Sequence, residues 1–377
     1  MQKVSLSYSF DTERDLAAPA QLSNPMMDVL HTVRERGSIS AAARELGLSY
    51  RHVWGQLKAW EKELDQELLI WERGHSAQLS PFGQRLLMAE RLAQARLGPQ
   101  LQTLRAELER AFAMAFELST PSADPAETLT IYASHDHALT VLQDIAAGFH
   151  PESRLRSQSG PLHLDLRFCG SVDAIRALNE KRCTVAGFHA PPFAESGSLS
   201  AKTYRPLLKP GTHKIIGFAR RTQGLIVAPG NPLRLRSLKD VVRLQARFVN
   251  RATGTGTRLL LQELMTQDEI DPIDIEGYDW VEPSHAAVAH AVASGQADVA
   301  LGSEYAARSL GLDFTPITDE RYMLVCLKEA LTSPAVERLL HLLRSRQWQQ
   351  VLSTLGGYAN DHSGEVAAMK RLLPWWR

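Results

Sequence analysis

The clearest chemical signal in this sequence is a loop rich in glycine and threonine after a short apolar run. Residues Arg247–Arg258 read RFVNRATGTGTR, and the pattern predicts a strand ending at Asn250 and a helix beginning at Arg258. Two glycines let the backbone approach a ligand, while free N–H groups and threonine hydroxyls point outward. The loop is neither a P-loop nor a dinucleotide fingerprint, because no GK[ST] and no third glycine follow. A loop that only packs tightly is the alternative. The predicted ligand-binding residues here are Arg251, Thr253, Gly254, Thr255, Gly256 and Thr257, which favour an anionic or carbonyl-rich ligand.

Polar side chains also follow three apolar runs that are predicted strands. These side chains are Ser134, His135 and Asp136 after Leu129–Ala133, Ser171 after Leu162–Phe168, and His189 after Thr184–Phe188. Ligands of parallel α/β sheets bind beyond the carboxyl ends of the strands. Each feature alone is also typical of a simple helix cap, but three in succession favour a site edge.

An enzyme is the alternative function that these residues leave open. His135, Asp136, His189 and His285 could do acid–base chemistry in a cleft. No nucleophile motif, metal-spaced triad or cofactor fingerprint accompanies them. We therefore predict no catalytic residue, no metal site and no cofactor, and expect instead a small-molecule or oxyanion effector.

Composition narrows the class of protein. A chain of 377 residues predicts two or three domains, and 44% hydrophobic with 22% charged residues is typical of a globular protein. No apolar run approaches the ~18 residues that span a bilayer, and the first residues lack the apolar core of a secretory signal. We expect a cytoplasmic protein without membrane contact. Three widely spaced cysteines predict reduced thiols.

Charge does not indicate nucleic-acid binding, since the first 118 residues hold 14 Lys and Arg against 15 Asp and Glu. The arrangement of the residues in this region, however, does indicate nucleic-acid binding. Apolar periodicity predicts helices over Met26–Glu35, Ile39–Leu46 and Tyr50 to about Leu64, which is a helix-turn-helix layout. Arginine and glutamine can contact base edges, and serine, tyrosine and lysine suit phosphates. A solvated polar face is the alternative. The candidate DNA contacts are Ser38, Ser49, Tyr50, Arg51, His52, Gln56 and Lys58.

A predicted hairpin and a long helix complete this region. Two short apolar segments flank a turn that carries Arg73 and His75, which we expect to touch backbone phosphate as the tip of a wing. The helix predicted from Pro81 to about Leu118 contains Gly98-Pro99, so a kink or a division into two helices is expected there. Its heptad-like apolar positions predict pairing with a second copy, in a homodimer or homotetramer.

The segment GSISAAARELGLSYRHVWGQLKAWEKEL, followed by LSPFGQRLL, resembles the DNA-binding domain of LysR-type regulators. It resembles the winged helix of molybdate-responsive, ModE-type regulators more closely still. Ser49, Tyr50 and Trp54 match the Ser-Tyr-x-x-x-Trp run that opens their recognition helix. The wing looks shorter here than in ModE-type proteins.

The second half resembles the type 2 periplasmic-binding-protein-like domain that occurs fused to helix-turn-helix domains or to molybdopterin-biosynthesis enzymes. The motifs are SHD, CGS, GFH, QGLIVAPGNP, VNRATGTGTR, HAAVAHAVASGQADVALG and LGLDFTPITDERY. The resemblance implies two lobes, joined by crossings near Ile215–Val227 and Phe314–Leu327. It implies a pocket between them formed by Ser134, His135, Ser171, His189, Arg251, Thr253, Thr257, His285 and Tyr305.

The expected fold class is α/β, with an N-terminal all-α winged helix-turn-helix and a long linker helix before a two-lobed α/β domain. We predict a DNA-binding domain over 22–82, a linker and dimerisation helix over 83–118, and an effector-binding domain over 127–377. Lobe 1 would comprise about 127–218 and 322–377, and lobe 2 about 222–318. The expected function is a ligand-responsive regulator of transcription that binds double-stranded DNA. The resemblance implies molybdate, tungstate or a molybdenum-cofactor-related metabolite as effector.

Overall fold

The computed structural model of this chain describes residues 24–70, 77–119, 127–147 and 162–376. The N-terminal region has α1 (Pro25–Arg36), α2 (Ile39–Glu45) and α3 (Tyr50–Leu64), followed by an antiparallel hairpin of β1 (Leu69–Ile70) and β2 (Gln78–Leu79). The predicted three helices and wing strands are thus present. The wing tip with Arg73 and His75 lies outside the described residues.

Local signals in the sequence explain these three helices. The Asn24 side chain accepts a hydrogen bond from the N–H of Met26 at 3.0 Å, which caps α1 at its start. Gly37 ends α1 in the left-handed conformation, with a φ of 70° that glycine adopts without strain. The apolar sides of the helices then pack together over Leu30, Ala42 and Val53, all fully buried. This packing holds α3 against α2 and leaves its other face exposed.

The linker helix α4 runs without a break over Pro81–Ser119, so the predicted alternative of two helices is wrong. Pro99 lies inside it and has no N–H to donate to the carbonyl of Ala95 one turn earlier. That carbonyl instead accepts a hydrogen bond of 2.6 Å from the Ser284 hydroxyl of the C-terminal domain. An outside donor thus replaces the missing one, and the helix continues. Within the described residues, neither α4 nor any other helix has the length and apolar character that crossing a membrane requires.

The C-terminal domain is a single curled sheet with helices on both faces. Its strands are β3 (Glu127–Ala133), β4 (Leu162–Phe168), β5 (Val185–Ala190), β6 (His213–Val227), β7 (Phe248–Arg251), β8 (Val281–Glu282), β9 (Val299–Ser303), β10 (Asp313–Leu327), β11 (Tyr358–Ala359) and β12 (Val366–Ala367). Its helices are α5 (His137–Ala146), α6 (Ser171–Asn179), α7 (Leu199–Tyr204), α8 (Leu238–Arg243), α9 (Gly256–Asp268), α10 (His285–Ala293), α11 (Glu304–Arg308), α12 (Pro334–Arg344), α13 (Arg346–Thr354) and α14 (Met369–Leu372).

Two long antiparallel strands divide this sheet into two lobes. The strand order is β4-β3-β5-β10-β6-β9-β7-β8, with β11 and β12 paired to β6. β6 and β10 occupy the predicted crossings, and the first half of β6 pairs with the second half of β10 in lobe 1. Strands β3, β4 and β5 are parallel in lobe 1, and β7 runs parallel to β8 and β9 in lobe 2. The predicted α/β fold class is confirmed.

Two strands extend further than the sequence pattern predicts. β5 runs through His189, and β7 runs through Arg251, whereas both residues were expected just after a strand. Ladder pairing explains the difference, because His189 lies opposite Tyr322 of β10 and Arg251 lies opposite Glu282 of β8. Both side chains are therefore fixed by the sheet itself, which holds them more rigidly than a loop would.

Gly217 on β6 offers a test of this packing. A Cβ there would overlap the carbonyl of His362 and lie 2.9 Å from that of Asp361. The segment 361–365 would have to move, although it is hydrogen-bonded to both the N–H and the C=O of Gly217. We expect Gly217→Ala to lower the free energy of unfolding by about 1–3 kcal/mol in urea denaturation followed by fluorescence.

Gly197→Ala is the matched control, because Gly197 is exposed in the same domain and a Cβ there meets open space. Its effect should stay within about 0.5 kcal/mol. Equal effects of the two substitutions would contradict the described packing of 361–365.

Candidate functional site

The predicted site residues meet where the strand ends of the two lobes face each other. In lobe 1, the hydroxyl oxygens of Ser134 and Ser171 are 3.4 Å apart. Ser134 directly follows β3, and Ser171 is the first residue of α6. In lobe 2, the Thr257 hydroxyl lies 3.3 Å from Nε2 of His285, which joins the first turns of α9 and α10. All four side chains are buried. Hydroxyls and imidazoles from both lobes thus converge on one region.

Glycines bring the two lobes into direct contact at this point. A Cβ on Gly170 of lobe 1 would lie only 2.7 Å from the carbonyl oxygen of Gly254 in lobe 2. A Cβ on Gly256 would lie 2.6 Å from the Cβ of His189. Larger residues at either glycine would force the lobes apart, so glycine is required here by close approach of the backbones. Gly254 also has a φ of 88°, which favours glycine.

Arg251 is a buried cation without a carboxylate partner among the described residues, as is Arg258, but Arg258 also stacks on the Tyr278 ring. The Arg251 side chain is 3% exposed, its Nη1 donates only to the backbone carbonyl of Glu282 at 3.1 Å, and its Nε has no partner. Burial, together with the positive charge of Arg221, lowers the pKa of Arg251 to about 9. Burying a charge without an opposite charge beside it lowers the stability of the fold by about several kcal/mol. A bound anion would offset that cost.

Three histidines around this arginine are neutral at physiological pH. Burial lowers the pKa of His135 to about 4. Burial and the charges of Arg221 and Arg251 hold the pKa values of His189 and His285 well below their ordinary range. Both ring nitrogens of His189 and Nδ1 of His285 have no hydrogen-bond partner within the described residues. Among those residues no group of His, Cys, Asp or Glu could hold a metal ion. The histidines are thus available to a ligand as neutral hydrogen-bonding groups.

Four predicted residues are placed less favourably. Asp136 caps α5 by accepting from the N–H of Ala138 at 2.9 Å, and its other oxygen binds Arg221 and Tyr358, so both oxygens already have partners within the chain. Thr253 is exposed. Thr255 caps α9. The Tyr305 ring stacks on His137 with centroids 3.9 Å apart. These four remain predictions without a contact that supports them.

Sequence reasoning missed the charged group at the hinge. Arg221 of β6 is fully buried and pairs with Glu320 of β10 and, at 2.5 Å, with Asp136 at the end of β3. Tyr358 donates to the same Asp136 oxygen at 2.8 Å. Opposite charges in the middle of the two predicted crossings, ARRTQ and TDERY, were the available signal. This network ties both crossing strands to one strand end of lobe 1.

A cavity of about 370 Å³ lies on the hinge, lined by Pro192, Arg220, Asp319, Glu320, Arg321, Asn360 and Asp361. Its arginines already have partners: Arg220 pairs with Asp319 at 3.2 Å, and Arg321 pairs with Asp361 at 3.0 Å. Both arginines of this cavity are therefore neutralised, and the region around Arg251 is the better candidate for an anion.

The exposed face of α3 carries the predicted DNA contacts. Tyr50 is 50% exposed, and Arg51 and His52 are exposed beside it, with Gln56 partly buried one turn later. Ser38 and Ser49 cap α2 and α3, so their hydroxyls already accept backbone hydrogen bonds. Lys58 pairs with Glu61 at 2.6 Å, and Glu61 in turn accepts from the N–H of Leu68 in the hairpin. Arg51 is therefore the most accessible cation on this face near the start of α3.

Two family models match the chain. Residues 26–84 match the model described as bacterial regulatory helix-turn-helix protein, lysR family. Residues 152–344 match the PBP superfamily domain. The first model describes regulators, not enzymes, and its match agrees with the helix-turn-helix in the structure.

Two protein relatives are similar in sequence. YvgK, an uncharacterized protein of Bacillus subtilis (strain 168), is 32% identical over 200 residues, which are 53% of this chain and 64% of that protein. The chain thus spans less than two thirds of that relative's length. An uncharacterized protein from the 5′ region of the ferredoxin 2Fe-2S gene of Clostridium pasteurianum is 38% identical over 109 residues, which are 29% of this chain and 96% of that protein.

Two solved structures are also similar to this chain. The OxyR C206 mutant of Corynebacterium glutamicum has a TM-score of 0.42 and 16% identity, over 88% of this chain and 93% of the other. CbnR in complex with its target DNA has a TM-score of 0.39 and 15% identity, over 85% of this chain and 97% of the other.

The buried histidines predict a loss of stability in mild acid. Their pKa values are lowered in the folded state relative to about 6.5 in the unfolded chain, so the unfolded chain binds more protons below that pH. Stability should be full above pH 6.5 and should fall as the pH drops toward 4, by up to about 1.4 kcal/mol per pH unit for each histidine. Urea denaturation between pH 7 and 4.5 measures this slope.

His135→Gln should make the slope shallower, whereas His52→Gln, on the exposed face of α3, should leave it unchanged. Identical slopes in wild type and His135→Gln would show that burial does not keep His135 neutral.

Proposed function

This chain belongs to the PBP superfamily, and we propose that it is a LysR-type transcriptional regulator whose binding to DNA is controlled by a small oxyanion held between its two lobes. The observation that carries this proposal is Arg251, a buried guanidinium with no carboxylate beside it among the described residues. An anion at that place would supply the missing charge. The same anion would lie near both lobes, because Arg251 belongs to lobe 2 and its charge acts on His135 and His189 of lobe 1.

The groups around Arg251 suit the oxygens of such an anion. Ser134 and Ser171 offer hydroxyls from lobe 1, while Thr257 and His285 offer a hydroxyl and an imidazole from lobe 2. The first N–H groups of α9 add donors at the positive end of a helix dipole. Neutral donors around one arginine bind a tetrahedral oxyanion without requiring a second buried cation.

We propose molybdate or tungstate as the first candidates, with a molybdenum-cofactor-related metabolite as the third. This choice rests on the likeness of SYRHVW and of the second-half motifs to molybdate-associated proteins. The site chemistry alone would also accept sulfate or phosphate. A thermal-shift screen of these four oxyanions and of pterin-related metabolites separates the candidates, and DNA binding with any compound that shifts the melting temperature completes the test.

The effector would act by favouring one arrangement of the two lobes. A ligand shifts an equilibrium only through its different affinity for the two arrangements, and a hundredfold difference supplies at most about 2.7 kcal/mol. That amount is enough to change the occupancy of a promoter. The protein would do this in the cytoplasm as a homodimer or homotetramer, paired through the exposed apolar side chains of α4, which include Met88, Leu97 and Leu104.

Arg251→Met tests the effector site. We expect binding of the active oxyanion to weaken about 30-fold or more, because a buried charge partner is worth about 2–5 kcal/mol. The variant should fold, since it loses a cation that was costly to bury. Isothermal titration calorimetry measures the affinity, and unfolding in urea checks the fold.

Arg247→Met is the matched control four residues earlier, where the arginine is exposed and pairs with Asp298 at 2.7 Å. It should bind the oxyanion like wild type. Wild-type affinity in Arg251→Met would mean that the effector site lies elsewhere.

Arg51→Ala tests the DNA-binding face. With a duplex selected by the wild-type protein from random sequence, we expect a loss of about 1–3 kcal/mol if Arg51 contacts a base. A phosphate contact would instead lower the slope of log affinity against log salt by about one unit. Fluorescence anisotropy at several salt concentrations measures both quantities.

Lys62→Ala, on the last turn of α3 and equally exposed, is the control and should leave both quantities unchanged. If Arg51→Ala also matched wild type in affinity and salt slope, α3 would not be the helix that reads DNA.

A further inference from the structure

A four-residue segment, Glu282–His285, connects the site with the linker helix; we call it the coupling segment. On the side of the site, the backbone carbonyl of Glu282 accepts from Nη1 of Arg251 at 3.1 Å. The last residue of the segment, His285, lies 3.3 Å from the Thr257 hydroxyl. The segment is therefore bonded to two of the groups that surround the effector.

The opposite side of the coupling segment is bonded to α4. The Glu282 carboxylate is almost fully buried and binds the Arg96 guanidinium through two hydrogen bonds, one of them 2.8 Å from Nε. The Ser284 hydroxyl donates at 2.6 Å to the Ala95 carbonyl, which Pro99 has left without its helical partner. Proline in the helix thus creates the acceptor that Ser284 uses. Each contact on α4 would be lost if the coupling segment shifted by a few ångströms.

The linker helix also touches lobe 1. Glu107 lies about three helical turns beyond Arg96 and accepts from Arg167 of β4 at 3.1 Å. Arg167 is separated by a few residues from Gly170 and Ser171, which form the lobe 1 side of the site. Helix α4 is thus bonded to both lobes, and each bond is made to a segment that lies next to the site in the sequence. A change in the spacing of the lobes must alter at least one of these attachments.

We propose that α4 senses the state of the effector site within its own chain, through the Arg96–Glu282 ion pair and the Ser284–Ala95 hydrogen bond. The identity of the ligand in this proposal rests on the proposed function, whereas the coupling itself does not. An anion at Arg251 competes with the Glu282 carbonyl for the guanidinium, so the coupling segment moves relative to α4. Because α4 continues directly from the winged helix-turn-helix, its docking sets the position of the DNA-reading helices. Linkage is reciprocal, so loosening α4 must also affect the site.

The first experiment needs no ligand and uses hydrogen–deuterium exchange of the full chain. Arg251→Met should increase exchange of the α4 amides in residues 92–104 about fivefold or more, although it lies in the site and not on α4. Arg258→Met is the control: Arg258 is also a buried arginine of lobe 2, and its hydrogen bond and its ring contact, at 3.9 Å, are both with Tyr278 and not with the coupling segment. It should leave exchange in residues 92–104 within twofold of wild type.

The second experiment measures the ratio of DNA affinities with and without 1 mM molybdate, by anisotropy on a selected duplex. If wild type shows a ratio of about tenfold, Arg96→Gln should reduce it to within twofold of unity while the molybdate-induced thermal shift remains. The double variant Arg96→Gln/Glu282→Gln removes both charges, so no unpaired carboxylate is left buried, and it should behave in the same way. Arg85→Gln, an exposed arginine on the first turns of α4, should keep the wild-type ratio.

The outcomes separate the two proposals. Unchanged exchange in residues 92–104 of Arg251→Met, or a wild-type DNA ratio in both Arg96 variants, overturns the coupling proposal. If wild type does not respond to molybdate but the exchange result is as expected, molybdate is the wrong effector and the coupling stands. Increased exchange in Arg258→Met equal to that in Arg251→Met would show a general loosening of lobe 2, and this too would overturn the proposal.

Discussion

The architecture of the C-terminal domain depends on one buried ion-pair network at the hinge. Arg221 of β6 binds both Glu320 of β10 and Asp136 at the end of β3, and Tyr358 completes the group. A buried network of this kind tolerates little displacement, because removing one partner leaves an uncompensated charge. The crossing strands therefore meet lobe 1 in one fixed arrangement. The strand ends that carry Ser134 and Ser171 owe their position to this constraint.

Two buried arginines in the same interior have opposite electrostatic situations. Arg221 is saturated by carboxylates, whereas Arg251 donates only to a backbone carbonyl and retains an unpartnered Nε. The first arrangement stabilises the fold and the second does not. Arg251 therefore adds no stability to the fold by itself, although it lies in the region where the two lobes touch. Burial first, and then the charges of Arg221 and Arg251, keep the neighbouring imidazoles of His189 and His285 neutral by lowering their pKa values.

Local patterns predicted most of the fold and part of the site. Helix caps, the wing strands and the strand-end positions of Ser134 and Ser171 depend on neighbours in sequence, so periodicity and turn residues reveal them. The extension of β5 through His189 and of β7 through Arg251 depends on pairing with distant strands, and the pattern missed it. The same holds for Pro99, where a division into two helices was a wrong alternative because the replacement donor, Ser284, lies far along the chain. Contacts such as Arg96–Glu282, 186 residues apart, leave no trace in any local window.

The near-contact of Gly170 with Gly254, and of Gly256 with His189, has a kinetic consequence. Because the lobes meet backbone to backbone at these two points, the proposed anion between them would leave mainly when the hinge opens. Its residence time is then set by a slow collective motion rather than by diffusion. A regulator that works as proposed would average over brief fluctuations in effector concentration and respond to sustained changes.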